Sequence, residues 1–145
     1  MIIQVVGLPC SGKTYYIQKI KSKYSFIKSV DYVSFPSPNR EQKLKQHLKN
    51  IYSDDSLILV ESACGIESLK SKVLLVSTSE FKRKQYMKLR NYSCSLKDTI
   101  SIKEQIIPAD YTVYNYYSFE NLISTILLGE NNAKKLFRNI RVSSN

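Results

Sequence analysis

Five short runs of apolar, mostly β-branched or aromatic residues punctuate the chain: Ile2 to Val6, Phe26 to Val30, Leu57 to Val60, Val73 to Val76 and Tyr111 to Tyr114. Each reads as a strand buried on both faces. Between them lie segments of helical texture, Lys13 to Lys23, Arg40 to Ile51 and Glu80 to Asn91, and a fourth, Ser118 to Leu128, follows the last strand. The fourth carries its own boundary signals, with Ser118 as N-cap, Glu120 in the first turn and Gly129 just past the end. Strands alternating with helices imply parallel pairing through right-handed crossovers, hence a three-layer α/β/α sandwich on a five-stranded parallel sheet. Ligands of such sheets bind at the carboxyl ends of the strands, where every motif below falls.

No internal repeat, low-complexity tract or Gly/Ser linker interrupts the pattern, and Pro36 and Pro38 sit in a short loop. Residues 1–145 therefore read as one domain, long enough to bury roughly two-thirds of its unfolded surface. The composition, 43% hydrophobic and 23% charged, is that of a soluble globular chain. No apolar run approaches the ~20 residues of a membrane span, and no secretory leader is visible. Cys10, Cys64 and Cys94 with a lone His47 build neither a disulfide framework nor a zinc site, which fits a reducing, cytoplasmic compartment. The net charge of +10 favours polyanionic partners, nucleotide phosphates or nucleic acid among them, although lysine-rich coding alone produces a similar excess.

Gly7-Leu8-Pro9-Cys10-Ser11-Gly12-Lys13-Thr14 satisfies GxxxxGK[ST] directly between a strand and a helix, the context that distinguishes a phosphate-binding loop from a chance match. Gly7 and Gly12 permit the close backbone approach by which successive N–H groups of Pro9 to Thr14, proline apart, wrap a phosphate, and the helix start adds its positive end. Lys13 is expected to bridge the β- and γ-phosphates of ATP, and the Thr14 hydroxyl to coordinate Mg²⁺. Glu61, at the end of the buried run Leu57 to Val60, is placed to orient the metal. Cys10 is either a small filler or a thiol whose pKa the loop amides depress. No NKxD base-recognition motif is present, and the acidic pair of larger ATPase machines is missing.

The loop GLPCSGKT resembles those of small-molecule and polynucleotide kinases. The stretch Ala109-Asp110-Tyr111-Thr112-Val113-Tyr114-Asn115-Tyr116-Tyr117-Ser118 is similar to the ADxxIxNxGS signature of dephospho-CoA kinases and related nucleoside monophosphate kinases, with Tyr117 where glycine is usual. The resemblance implies a sheet order of 2-3-1-4-5 and places Asn115 and Tyr116 beside the base of ATP. The basic run from Ser79 to Asn91 resembles the lid helix of these kinases, so a lid is expected around residues 79–92. Arg90 fits its second arginine, Tyr86 stands where the first would be, and Arg83 is the substitute one turn earlier.

Asp31, closing the second strand, is the candidate base for an acceptor hydroxyl, with Glu61 the alternative. The resulting expectation is an ATP- and Mg²⁺-dependent kinase acting on a nucleoside, a nucleoside monophosphate or a related small acceptor. In it Lys13, Asp31, Arg83 and Arg90 are catalytic, Gly7, Pro9, Cys10, Ser11, Gly12, Lys13, Thr14, Asn115 and Tyr116 bind the nucleotide, and Thr14 and Glu61 hold the metal. Two alternatives draw on the charge and small size: a polynucleotide 5′-hydroxyl kinase or nucleic-acid-binding protein, and a non-catalytic nucleotide-binding module. Lys134, Lys135, Arg138 and Arg141 set cations at helical spacing, either a basic stripe or a solvated face. Tyr15 and Tyr16 are expected to pack the first helix, with one able to reach the acceptor.

Overall fold

A computed structural model describes the backbone of residues 1–143 and the side chains of residues 1–129. Five parallel strands, β1 (Ile2–Val6), β2 (Ile27–Asp31), β3 (Leu57–Glu61), β4 (Lys72–Val76) and β5 (Tyr111–Val113), form one sheet in the order β2-β3-β1-β4-β5. Five α-helices accompany them: α1 (Lys13–Lys23), α2 (Arg40–Ile51), α3 (Glu80–Leu89), α4 (Leu96–Gln105) and α5 (Tyr116–Ser143), with a 3₁₀ turn at Tyr32–Ser34. The boundaries of α1 and α2 coincide with those read from the sequence. Lys134, Lys135, Arg138 and Arg141 lie outside the residues whose side chains are described.

Period-two alternation divides the central strands between two cores. Leu57 and Leu59 of β3 join Ile3 and Val5 of β1 against Ile17 and Ile20 of α1 and Phe119 and Ile123 of α5. Ile58 and Val60 turn the other way, onto Leu44 and Leu48 of α2. A Lys23–Glu120 ion pair and a hydroxyl contact between Tyr24 and Ser124 (3.2 Å) tie α1 to α5. Fully buried Gln4 pins the β3–β4 connection: its Oε1 accepts from Ile66 N (2.7 Å), and its Nε2 donates to Ile66 O and Ser71 Oγ (3.0 Å each). Such pairing is what makes a buried amide tolerable.

Three sequence expectations need correction. The edge strands β2 and β5 are not covered on both faces; Lys28, Asp31 and Thr112 are exposed because each strand has a neighbour on one side only. Helix α4 has no counterpart in the expected elements, although Ser95 caps it by accepting from Asp98 N (3.1 Å). Helix α5 begins at Tyr116, since Asn115 Oδ1 accepts from Ser118 N (2.8 Å) and is its cap, and it runs through Gly129 rather than stopping there.

Helical glycine costs backbone entropy, and a Cβ at Gly129 would meet nothing within 4 Å. Gly129→Ala is therefore expected to stabilise the fold by about 1 kcal/mol, read as a thermal midpoint about 3 °C higher. Among the described residues no helix is long and apolar enough to cross a membrane.

Candidate active site

The chain leaves β1 at Val6 and turns through Gly7 to Gly12 into α1. Gly7 N donates to Ala63 O (3.1 Å) and Ser11 N to Leu8 O (3.2 Å), while Gly12 (φ 102°) and Cys10 (φ 62°) take left-handed backbone angles. No side chain caps α1, so its first-turn N–H groups face the loop unclaimed, the arrangement that binds anions. Lys13 is only 9% exposed, and its ammonium donates to Gly7 O (2.5 Å) and Leu8 O (3.1 Å). A third N–H is left for a ligand. Burial holds its pKa below the usual lysine range, opposed chiefly by the negative charge of Glu61.

Parallel pairing sets Asp31 opposite Glu61 at the carboxyl ends of β2 and β3. Both carboxylates line a cleft of about 440 Å³ with the phosphate loop, Val33, Ser62, Ala63, Arg90 and Tyr92. Thr14 Oγ1 donates to Glu61 Oε1 at 2.5 Å, which brings the two expected metal-holding residues together. Asp31 is fixed by accepting from Val33 N (3.3 Å). Among the described residues no group of three His, Cys, Asp or Glu forms an all-protein metal cage. The hydroxyl and carboxylate oxygens at Thr14 and Glu61 are hard donors, and Mg²⁺ is commonly held by one or two carboxylates together with substrate phosphates. The donor set fits that ion.

A second cavity of about 510 Å³ opens on the other side of the loop, between α1, α3 and the start of α5. Its walls are aromatic and basic: Tyr15, Tyr16, Tyr86 and Tyr116 with Lys19, Lys82 and Asn115. Tyr16 packs edge-on against Tyr116 (5.8 Å between centroids) and Lys19 Nζ lies 4.2 Å from the Tyr116 ring centre. Burial, reinforced by the charge of Glu120, pushes the Tyr116 phenol up to about 12, so it stays a neutral hydroxyl. Asn115 and Tyr116 thus stand together on this wall. Tyr117 does not line it and is 75% exposed, and Tyr15 and Tyr16 line this cavity rather than the Asp31 cleft. Cys10, Gly12 and Arg90 border both cavities.

The two lid arginines occupy different places. Arg90, exposed at the end of α3, faces both cavities. Arg83 is 3% exposed and lines neither; its guanidinium donates to Thr99 Oγ1 (3.2 Å), Pro9 O (3.5 Å) and Glu80 (3.4 and 3.5 Å). It therefore binds α3 to α4 and to the back of the phosphate loop. Thr78 adds a bond from its hydroxyl to Ser11 O (2.5 Å). Lys19, Lys82 and Tyr92 are site residues that sequence reasoning did not single out. Their only sequence signal is position one or two helical turns from the loop or at the end of the lid.

No protein-family model and no curated protein matches the chain. Solved structures do. TT1252 from Thermus thermophilus superposes with a TM-score of 0.63 at 15% identity, covering 89% of this chain and 97% of that one. A gluconokinase from Sinorhizobium meliloti 1021 gives 0.57 at 15% identity, covering 92% and 95%. A sugar kinase from Janibacter sp. HTCC2649 gives 0.52 at 11%, covering 79% and 83%. With the all-parallel 2-3-1-4-5 sheet and the loop after β1, the protein has the α/β fold of the P-loop kinases.

Proposed function

We propose that the protein is an ATP-dependent phosphotransferase that moves the γ-phosphoryl group to a hydroxyl of a small acceptor of the nucleoside, nucleotide or sugar type. The observation that carries this reading is the pair of cavities meeting at the phosphate loop, one aromatic and one floored by two carboxylates. The nucleotide base stacks in the first, the loop amides and Lys13 hold the β- and γ-phosphates, and the acceptor lies in the second over Asp31. Transfer makes one acceptor O–Pγ bond and breaks the bond from Pγ to the β–γ bridging oxygen, which leaves with the electron pair on ADP. The acceptor proton passes to Asp31, which returns it to solvent. Lys13 and Arg90 stabilise the charge spread over the phosphoryl oxygens, whereas Arg83 is a positioning residue behind the loop. Mg²⁺, held by Thr14 and Glu61, supplies neutralisation of phosphate charge when bound.

Incubation with γ-labelled ATP, Mg²⁺ and a pool of nucleosides, nucleoside monophosphates, sugars, dephospho-CoA and a 5′-hydroxyl oligonucleotide tests this reading. Label is expected in one acceptor class. Label confined to ATP in a protein shown to bind it would establish a non-catalytic nucleotide-binding module instead.

The burial of Lys13 gives a pH signature. Because the ammonium form binds phosphate and its pKa in the free protein is lowered, the proton is lost earlier on an alkaline titration than from an ordinary lysine. ATP affinity by calorimetry is expected to decline with rising pH from below 10.5; a decline that begins only above that value would contradict the assignment.

A further inference from the structure

We infer that the acceptor is an uncharged polyhydroxyl compound, either a free sugar or the ribose of a nucleoside, and not a phosphorylated or carboxylated one. The inference rests on the phosphotransfer reading and follows from the charges around the acceptor cleft. Beyond the phosphate loop, that cleft is walled by two carboxylates, Asp31 and Glu61, by Val33 and Tyr92, and by one cation among the described residues, Arg90. Arg90 also borders the nucleotide cavity, where it serves the transferring group. With Glu61 given to the metal, Asp31 still faces the acceptor and no cation remains to clamp a second anion.

The segment after β2 could have supplied such a clamp, and its cations are engaged elsewhere. Arg40 Nε donates to Phe35 O (2.7 Å), and its guanidinium lies 5.7 Å from the Tyr32 ring centre. Lys43 donates to Pro36 O (3.0 Å), and Lys45 pairs with Glu41 (3.3 Å) and Ser68 Oγ (2.8 Å). None of the three lines the cleft. An anionic acceptor would therefore meet unpaired negative charge, whereas hydroxyl groups donate to carboxylates. Val33 and Tyr92, 63% and 45% exposed, offer the apolar surface against which the C–H face of a sugar ring packs.

Matched acceptors differing only in the anionic group provide the test: nucleosides against their 5′-monophosphates, and neutral hexoses and pentoses against the corresponding sugar acids. Transfer from γ-labelled ATP is read as kcat/KM for each member, and the nucleoside and free-sugar arms identify the source of the polyol. The neutral member of the used pair is expected to be preferred by about 10-fold or more. Val33→Arg, a change at an exposed position on the cleft wall, is expected to shift the ratio about 10-fold towards the anionic member. Equal or better use of the anionic member by the unaltered protein overturns the inference and leaves phosphotransfer standing. Absence of product from every acceptor by a protein that binds ATP overturns the phosphotransfer reading, and this one with it.

Discussion

Lys13→Ala is expected to lower phosphotransfer about 10³-fold while the protein remains folded. Lys13 opens α1, where alanine is at least as good a helix former, so the helix survives the change. Two bonds from its ammonium, to Gly7 O and Leu8 O, are lost, but both carbonyls sit at the mouth of a cleft where water can replace the donor. Water cannot replace a preorganised positive charge beside the phosphoryl group as negative charge redistributes during transfer. The loss should fall mainly on kcat, because the loop amides and the start of α1 still bind phosphate. Circular dichroism and a thermal melt check the fold, and labelled-phosphate transfer checks the rate. Undiminished turnover would remove Lys13 from the mechanism.

Gly7→Ala should be nearly as damaging, by another route. A Cβ at Gly7 would lie 2.6 Å from Val76 O, a backbone atom in β4, and 3.0 Å from Ser11 Oγ. The first contact cannot be relieved by rotating a side chain, because β4 is held in the sheet between β1 and β5. The loop must move instead. Overpacking of this kind costs about 1–3 kcal/mol of stability. The functional cost is larger, since displacement of the phosphate-binding amides by about 1 Å lowers activity about 10²-fold. Nucleotide affinity by calorimetry and transfer rate should both fall; unchanged ATP binding would mean that this turn does not set the loop's shape.

Elements governed by local pattern were the ones legible in the sequence. The strands are short apolar runs, and α1 and α2 end where their periodicity ends. The loop motif carried its own strand-to-helix context, and adjacent strand ends brought Asp31 beside Glu61 as the sheet order implied. What remained hidden depends on partners distant in the chain. Helix α4 buries only Thr99 and leaves Leu96 and Ile100 exposed, so it has no apolar stripe to announce it. Arg83 looks like one more cation on a basic face, and its burial becomes evident only when Thr99 of that unforeseen helix stands 3.2 Å from its guanidinium. The aromatic cavity likewise gathers tyrosines from α1, α3 and α5, which no spacing rule connects. Ser118 was a reasonable cap by type, but the side chain of Asn115 reaches the helix amide first.

The bonds from Arg83 to Pro9 O and from Thr78 to Ser11 O bear on how the protein would move during a catalytic cycle. They fasten the near end of α3 to the loop that receives the nucleotide, while the far end, at Leu89 and Arg90, stands exposed. The helix is thus a lever with its fulcrum at the phosphate site. Any shift of Pro9 to Ser11 on filling the loop is transmitted along about 10 Å of rigid helix to Arg90. Nucleotide arrival and delivery of the outer cation are then one mechanical event, and the acceptor meets a complete charge array only after the donor is in place.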